Sequence, residues 1–307
     1  MSGRKPVFLV TAADLAPQAL TLVGDYEVVF AGAMPSEDDV TALCRRHDPV
    51  AIIVRYAKVG AAAMDAAPSL KVISKHGSGT DTIDKDAARV RGIAVVAAVG
   101  ANAAAVAEQA LALLLACAKS VVALNQRMHA GRWDKATHKS VELEGRTVGV
   151  IGLGAIGRRF AKMADALGMR VLGFDPYATD VPGQVELVDL ETIWCESDAI
   201  SLHCPLTAGN TKMLNAQTLA ACKHGVIVVN TARGGLIDEA ALLDALRSGQ
   251  VASAGLDSFA VEPMTVPHPF QGEPRITLSP HIGGVTADAY VKMGIASVNN
   301  ALAVLHG

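Results

Sequence analysis

Aromatic side chains are scarce in this chain: six Phe, four Tyr and two Trp make up 4% of 307 residues. With Ala abundant in their place, the composition points to many tightly packed helices. Cysteine is sparse and odd in number (Cys44, Cys117, Cys195, Cys204 and Cys222), with no C-x-x-C pair. That spacing argues against a disulfide framework and against a structural zinc site, and it leaves reduced thiols as the expectation. Charge of one sign is lacking too. A net charge of −3 gives no general electrostatic case for nucleic acid or an anionic membrane as partner. Long hydrophobic runs are missing as well. The opening MSGRKPVFLVTAAD holds one short apolar run stopped by Asp14, below the ~7–15 residues of a secretory apolar segment. The longest apolar stretch, 103–118, is interrupted by Glu108 and Gln109 and falls short of the ~20 residues of a membrane span. It reads as a buried helix at a subunit interface. These absences together lead us to expect a soluble, cytoplasmic protein with no bound metal.

What is present is a globular balance, 51% apolar and 19% charged, in a length that suggests two domains. Short Val/Ile-rich runs alternate with helical patterns along the chain. Strands are expected at 7–10, 27–30, 51–54, 71–74 and 93–96, then at 147–151, 170–174, 198–202, 226–230, 253–256 and 276–278. Their apolar character on both faces is that of parallel strands covered by crossover helices. Between the two series, from 97 to 144, the strand rhythm stops, and one long helix is expected at about 103–127. A last helix is expected over 287–305, where Ala289, Met293, Ala296, Asn300 and Val304 recur near a 3.6 spacing. The fold class is thus α/β, with two doubly wound parallel sheets.

The second series opens with a strand that runs into Gly152-Leu-Gly154-Ala155-Ile156-Gly157 and then into a helix. In this G-x-G-x-x-G context Gly152 permits a tight turn, Gly154 lets backbone approach a pyrophosphate, and Gly157 permits close helix–strand packing. The helix N-terminus favours the phosphates. The next strand ends at Asp175, about where a carboxylate accepts hydrogen bonds from an adenosine ribose and repels a 2′-phosphate. The implied cofactor is NAD.

Three further strands end in polar groups: Asn230 leads to Thr231-Ala232-Arg233-Gly-Gly, Asp257 leads to Glu262-Pro, and Ser279 leads to Pro-His281-Ile-Gly283-Gly284. Ligands bind at strand C-termini in doubly wound sheets, so Arg, Glu and His delivered there make a candidate carbonyl-reducing site. Taken with Ala107-Glu108, Gly77-Ser78-Gly79-Thr80-Asp81 and His203-Cys204-Pro205-Leu206-Thr207, the pattern resembles the D-2-hydroxyacid dehydrogenase family over essentially the whole chain.

The resemblance implies a cofactor domain of Rossmann type at 99–284, inserted in a flavodoxin-like substrate domain built from 1–98 and 285–307, with hinges near 97–100 and 283–285 and catalysis in a cleft. It assigns Arg233 to the substrate carboxylate and keto oxygen, His281 to acid–base work and Glu262 to the other imidazole nitrogen. Their chemistry suits those roles. Cofactor contacts fall on Gly152, Gly154, Ala155, Ile156, Gly157, Asp175, His203, Cys204, Pro205, Thr231, Ala232, Asp257, Gly283 and Gly284. Gly77, Ser78 and Gly79 would offer backbone N–H groups to the substrate, as in any anion nest, with Arg55 reaching in from another strand. Cys204 has no adjacent base and reads as a packing residue. His76, His224 and His268 read as structural or solvated.

Two features bear on the substrate. Lys75 and His76 add positive charge beside the glycine loop, which suits a carboxylate, a phosphate or a sulfonate equally. Thr82 stands where the family often has Asn; either can cap the following helix. With Gly307 soon after the last helix, feedback through a C-terminal regulatory domain of the kind some phosphoglycerate dehydrogenases carry is not expected. A homodimer through the 103–127 helix and the Trp133 region is implied because relatives pair there. Two other readings stay open: a formate- or phosphite-type dehydrogenase, which Glu262 disfavours against Gln, and an NAD(H)-sensing corepressor-like protein.

Overall fold

The computed structural model describes residues 5–307, so residues 1–4 of the expected leaderless N-terminus lie outside it. The chain divides into two compact units. One runs as far as Asn102 and resumes over Gly284–Gly307; the other is Ala103–Gly283. The sequence-based boundaries at 98/99 and 284/285 lie a few residues from these.

The first unit holds five parallel strands: β1 (Val7–Val10), β2 (Glu27–Phe30), β3 (Ala51–Val54), β4 (Val72–Lys75) and β5 (Ala94–Ala97), in the order β2-β1-β3-β4-β5. This is the flavodoxin-like order, with the first strand inside the sheet. β1 and β3 are buried at every position, which explains their unbroken apolar sequences. The helix Glu37–His47 begins in a capping box between Ser36 and Asp39, and Arg45, Arg46 and His47 sit in its last turn, each end matching the helix dipole. The final helix, Ala287–His306, packs on this sheet. Ser74 Oγ donates to the Ser297 carbonyl at 2.8 Å, and Asn300 Nδ2 to the Ala97 carbonyl at 2.9 Å.

The second unit holds seven parallel strands: β6 (Thr147–Ile151), β7 (Arg170–Phe174), β8 (Val185–Leu187), β9 (Ala199–Leu202), β10 (Val226–Asn230), β11 (Val251–Leu256) and β12 (Ile276–Leu278). Their order is β12-β11-β10-β9-β6-β7-β8. From β6 the sheet grows outward through β7 and β8 on one side and through β9 to β12 on the other. This is the dinucleotide-binding arrangement, whose topological switch point lies beside its first strand. The helix Ala103–Lys119 lies against β10 and β11, where a Cβ on Gly255 would fall 2.8 Å from that of Leu113. On the other limb Phe160, fully buried, packs in the cluster that holds Val148, Val150 and Leu153.

The sequence reading needs four corrections. The expected single helix at 103–127 is two, Ala103–Lys119 and Val121–His129, meeting at 60°. Ser120 between them takes a left-handed backbone, φ 52, and a helix cannot run through that conformation. β8 was not anticipated; three residues with two exposed give no periodic signal. Several strand ends shift by a residue or two, β4 and β5 among them. Finally, Asp84 rather than Thr82 caps the helix Lys85–Val90, accepting from Ala87 N–H at 2.9 Å, while the Thr82 hydroxyl is buried without a partner. Among the described residues no single helix is long and apolar enough to cross a membrane.

Both tryptophans, Trp133 and Trp194, belong to the second unit, and Trp194 is 7% exposed. Tryptophan fluorescence therefore follows that unit's unfolding. Phe160→Ala is expected to remove about 3–5 kcal/mol from it, read as a lowered urea midpoint with an unchanged slope.

Candidate active site

The strands of the second unit deliver their C-terminal ends to one edge of its sheet, and the predicted residues arrive there. The turn after β6 is built by glycines with distinct employments. Gly152 has φ +95, and a Cβ on it would fall 2.6 Å from the Cys204 nitrogen. A Cβ on Gly157 would fall 1.9 Å from the Gly152 carbonyl oxygen, so the helix Ala155–Ala166 sits directly on the turn. Gly154 has open space in front of it, and with Ala155 it is exposed. First-turn N–H groups have no partner within a helix, so those of Ala155 and Ile156 face a site open to an anion. Asp175 at the end of β7 accepts from Leu153 N–H at 2.8 Å and Tyr177 N–H at 2.9 Å, which fixes its carboxylate beside the glycine turn.

After β9, His203 Nε2 lies 2.9 Å from Ser201 Oγ, its ring stacks near Phe160 with centroids 5.0 Å apart, and its Nδ1 is buried without a partner. Burial pushes its pKa down to about 3. Cys204 follows, its thiol pushed up to about 11 by burial, which leaves no thiolate for nucleophilic work. Pro205 is exposed. The other buried thiols, Cys44, Cys117 and Cys222, are likewise raised to about 12, 11 and 12.

β10 ends at Asn230, fully buried, whose side chain accepts from Ala232 N–H and donates to the Arg233 carbonyl, both at 2.9 Å. That clamp sets the backbone from which Arg233 projects; the Arg233 Nη1 donates to the Ala232 carbonyl at 2.8 Å. The Thr231 hydroxyl is buried and unpartnered. Gly234 then touches the loop after β11, since a Cβ there would fall 1.9 Å from the Phe259 carbonyl carbon. In that loop Glu262 Oε1 accepts from Phe259 N–H at 2.9 Å and Glu239 Oε1 from Ala260 N–H at 2.9 Å. Glu262 Oε2 lies 2.7 Å from His281 Nδ1. His281 is partly exposed and takes a left-handed backbone, φ 53.

Asp257, expected among cofactor contacts, is 1% exposed. Its carboxylate accepts from Ser279 Oγ at 2.5 Å, Ile282 N–H at 3.0 Å and Gly283 N–H at 2.8 Å. Gln109 Nε2 donates to Ser279 Oγ at 3.1 Å. A Cβ on Gly283 would fall 2.8 Å from Asp257 Oδ2, so this glycine serves packing of the loop. Asn230, Ser279 and Gln109 stood in the motifs read from sequence but, like Gly234, were given no role there. A signal existed for Gln109: with Glu108 it is the polar interruption of an otherwise apolar helix.

In the first unit the predicted substrate residues cluster separately. Arg55 pairs with Asp14, bonds Tyr56 Oη at 3.0 Å and lies 4.9 Å from the centroids of both the Tyr56 and Tyr290 rings. Lys75 Nζ donates to the Arg55 carbonyl at 2.6 Å. Gly77, with φ +126, opens the loop through Ser78 and Gly79. His76 is buried, its pKa lowered to about 4 by desolvation and by Arg55 and Lys75. Gly284 lies against Asn102, whose Nδ2 would be 2.6 Å from a Cβ there.

A dinucleotide turn, a clamped arginine and a Glu–His pair on one doubly wound sheet define a nicotinamide-dependent oxidoreductase. The comparisons narrow this. Residues 111–283 match the model of the D-isomer specific 2-hydroxyacid dehydrogenase, NAD binding domain. A hydroxypyruvate reductase of Thermotoga maritima is 44% identical over 250 residues, 80% of this chain and 82% of that protein. A D-3-phosphoglycerate dehydrogenase of Mycobacterium tuberculosis is 39% identical over 293 residues, 94% of this chain and 55% of that protein; the chain thus spans about half of it. Among solved structures, a protein of Thermus thermophilus matches with TM-score 0.89 and 36% identity, covering 98% of this chain and 97% of that one. A glyoxylate reductase from Paecilomyes thermophila matches with TM-score 0.87 and 29% identity, over 97% and 94%. The chain belongs to the D-isomer specific 2-hydroxyacid dehydrogenase family, whose cofactor is NAD and whose chemistry is the oxidoreduction of hydroxy acids. The open space at Gly154 beside unpaired helix N–H groups, with Asp175 nearby, fits that cofactor.

Gly157→Ala is expected to displace the turn and weaken NADH binding at least about tenfold, measured by NADH fluorescence. A second outcome concerns pH. The depressed His203 and His76 leave the folded protein neutral at sites that protonate below about pH 6.5 once unfolded. Stability is therefore full above that pH and is lost as pH falls toward about 4 and then 3. The loss approaches about 1.4 kcal/mol per pH unit for each histidine. Urea midpoints measured between about pH 7.5 and 4.5 check this, and His203→Gln is expected to flatten the slope of the second unit.

Proposed function

We propose that this chain interconverts a small 2-keto acid and its D-2-hydroxy acid with NADH, with His281 as acid–base catalyst. The observation that carries the reading is the 2.7 Å contact between His281 Nδ1 and Glu262 Oε2. With Nδ1 held by the carboxylate, the tautomer is set and Nε2 is left to exchange a proton with the substrate oxygen. Glu262 is itself fixed through Phe259 N–H, so the imidazole is oriented before substrate arrives. Arg233, on the backbone clamped by Asn230, binds the carboxylate and the keto oxygen and polarises the carbonyl. Bound nicotinamide supplies or accepts the hydride.

The glycine turn, with Gly154, Ala155 and Ile156, holds the pyrophosphate. Asp175 takes the adenosine ribose and disfavours NADP; Thr231, Ala232, His203, Cys204 and Pro205 line the rest of the cofactor site. Asp257 and Gly283 serve it indirectly by shaping the His281 loop. In the first unit Gly77, Ser78 and Gly79 offer N–H groups to the substrate carboxylate. Arg55 is engaged by Asp14 and Tyr56, and Lys75 donates to the Arg55 carbonyl, so a phosphorylated tail would have to displace those partners to reach either cation. The substrate class is accordingly an unphosphorylated acid such as hydroxypyruvate or glyoxylate. The enzyme acts in the cytoplasm as a homodimer through the region of the helices Ala103–Lys119 and Val121–His129 and the exposed Trp133.

NADH consumption across hydroxypyruvate, glyoxylate, pyruvate and 3-phosphohydroxypyruvate tests this. Turnover of an unphosphorylated acid is expected, with His281→Ala lowering kcat about 10²–10⁴-fold and NADH binding retained. Full activity in His281→Ala would overturn the catalytic assignment; preference for the phosphorylated acid would overturn the substrate class.

A further inference from the structure

The loop 279–283 that carries His281 has little regular backbone bonding. Its ladder contact is Ser279 N–H to the Leu256 carbonyl, and His281 N–H turns back to the Ser279 carbonyl at 3.0 Å. Yet it holds a bulky residue at φ 53, a conformation that an L side chain adopts at a penalty of about 1–2 kcal/mol. Such a conformation persists when the surroundings over-determine it. Here Glu262 holds the imidazole, and the backbone on either side is held by one buried carboxylate. Asp257 gathers Ile282 N–H, Gly283 N–H and the Ser279 hydroxyl, which bracket His281 on both sides.

The direction of the hydroxyl proton is set by Gln109. Its Nε2 donates to Ser279 Oγ, an amide nitrogen has no acceptor capacity, and the one Ser279 proton must therefore go to Asp257. We propose that Ser279, poised by Gln109, is a positioning residue for His281: the relay from Gln109 through Ser279 to Asp257 holds the imidazole in register with Glu262. This rests on the assignment of His281 as acid–base catalyst. Ser279 acts through Asp257 and the backbone on either side of 281. A displacement of about 1 Å in such a group lowers the rate by as much as about 100-fold.

Ser279→Ala is expected to lower kcat about 30-fold, with KM for the keto acid within about threefold and NADH affinity unchanged, while Ser279→Thr recovers most of the rate. In a His281→Ala background Ser279→Ala is expected to add no further loss, because residues acting as one unit are not additive. Gln109→Glu supplies the sharper test. An ionised Glu at 109 would accept the Ser279 proton and take it from Asp257; once protonated it would donate as Gln does. Its rate should therefore fall as pH rises through the range of that carboxyl, whereas Gln109→Met, with no proton to give or take, should lack that added limb. The hydrogen-bonded Nδ1 proton of His281, followed by NMR, should be lost in Ser279→Ala without any substrate present. If His281→Ala is inactive but Ser279→Ala keeps both wild-type kcat and that resonance, the relay is refuted and the catalytic assignment stands. If His281→Ala is active, the assignment itself fails. An insoluble Ser279→Ala leaves the Gln109→Glu pH profile to decide, and a profile identical to that of Gln109→Met refutes the relay.

Discussion

Parallel pairing is the constraint on which the second unit depends. Each strand from β6 to β12 runs in the same sense as its neighbours, so every crossover must return along a face, and every strand ends at the same edge. Polar residues placed just past apolar runs are thereby gathered without any of them being near in sequence. Gly152, Cys204, Arg233, Asp257 and His281 are spread over most of the unit and meet only because their strands all stop on one side.

Convergence alone would leave loops of uncertain shape. Two close approaches convert the edge into a site. Gly157 lets the helix Ala155–Ala166 rest on the Gly152 carbonyl, and Gly234 lets the arginine turn rest on the Phe259–Ala260 peptide. In each, backbone meets backbone where any side chain would intrude. The second contact links the Arg233 turn to the loop that bears Glu262, and Glu262 reaches His281. The Arg–Glu–His set is therefore supported as a unit, each member resting on a neighbouring loop.

Much of this was legible in the residues. Apolar runs such as VFLV, AIIV and VIVVN could be little other than covered strands, and their ends were marked by the first polar residue, Thr11, Arg55 and Asn230 respectively. The glycine turn was legible because its three positions impose different steric demands in a fixed order. What escaped were features without periodicity or composition. Ser120 breaks a helix through its own backbone torsion, though Ser at that position is an ordinary helix residue. β8 is too short to alternate. Asp257 was assigned to the cofactor through the resemblance alone; the partners of its carboxylate, two amides and a hydroxyl, become visible only once the 279–283 loop folds over it.

The state of the thiols has a practical reading. Four of the five cysteines are buried or partly so and held as protonated thiols at neutral pH, and Cys195 is the exposed one. Maleimide chemistry near neutrality thus finds a single ready target, on the helix Leu190–Glu196 of the second unit. A fluorophore or spin label placed there would report on that unit without mutagenesis and without an adduct on the half-buried Cys204.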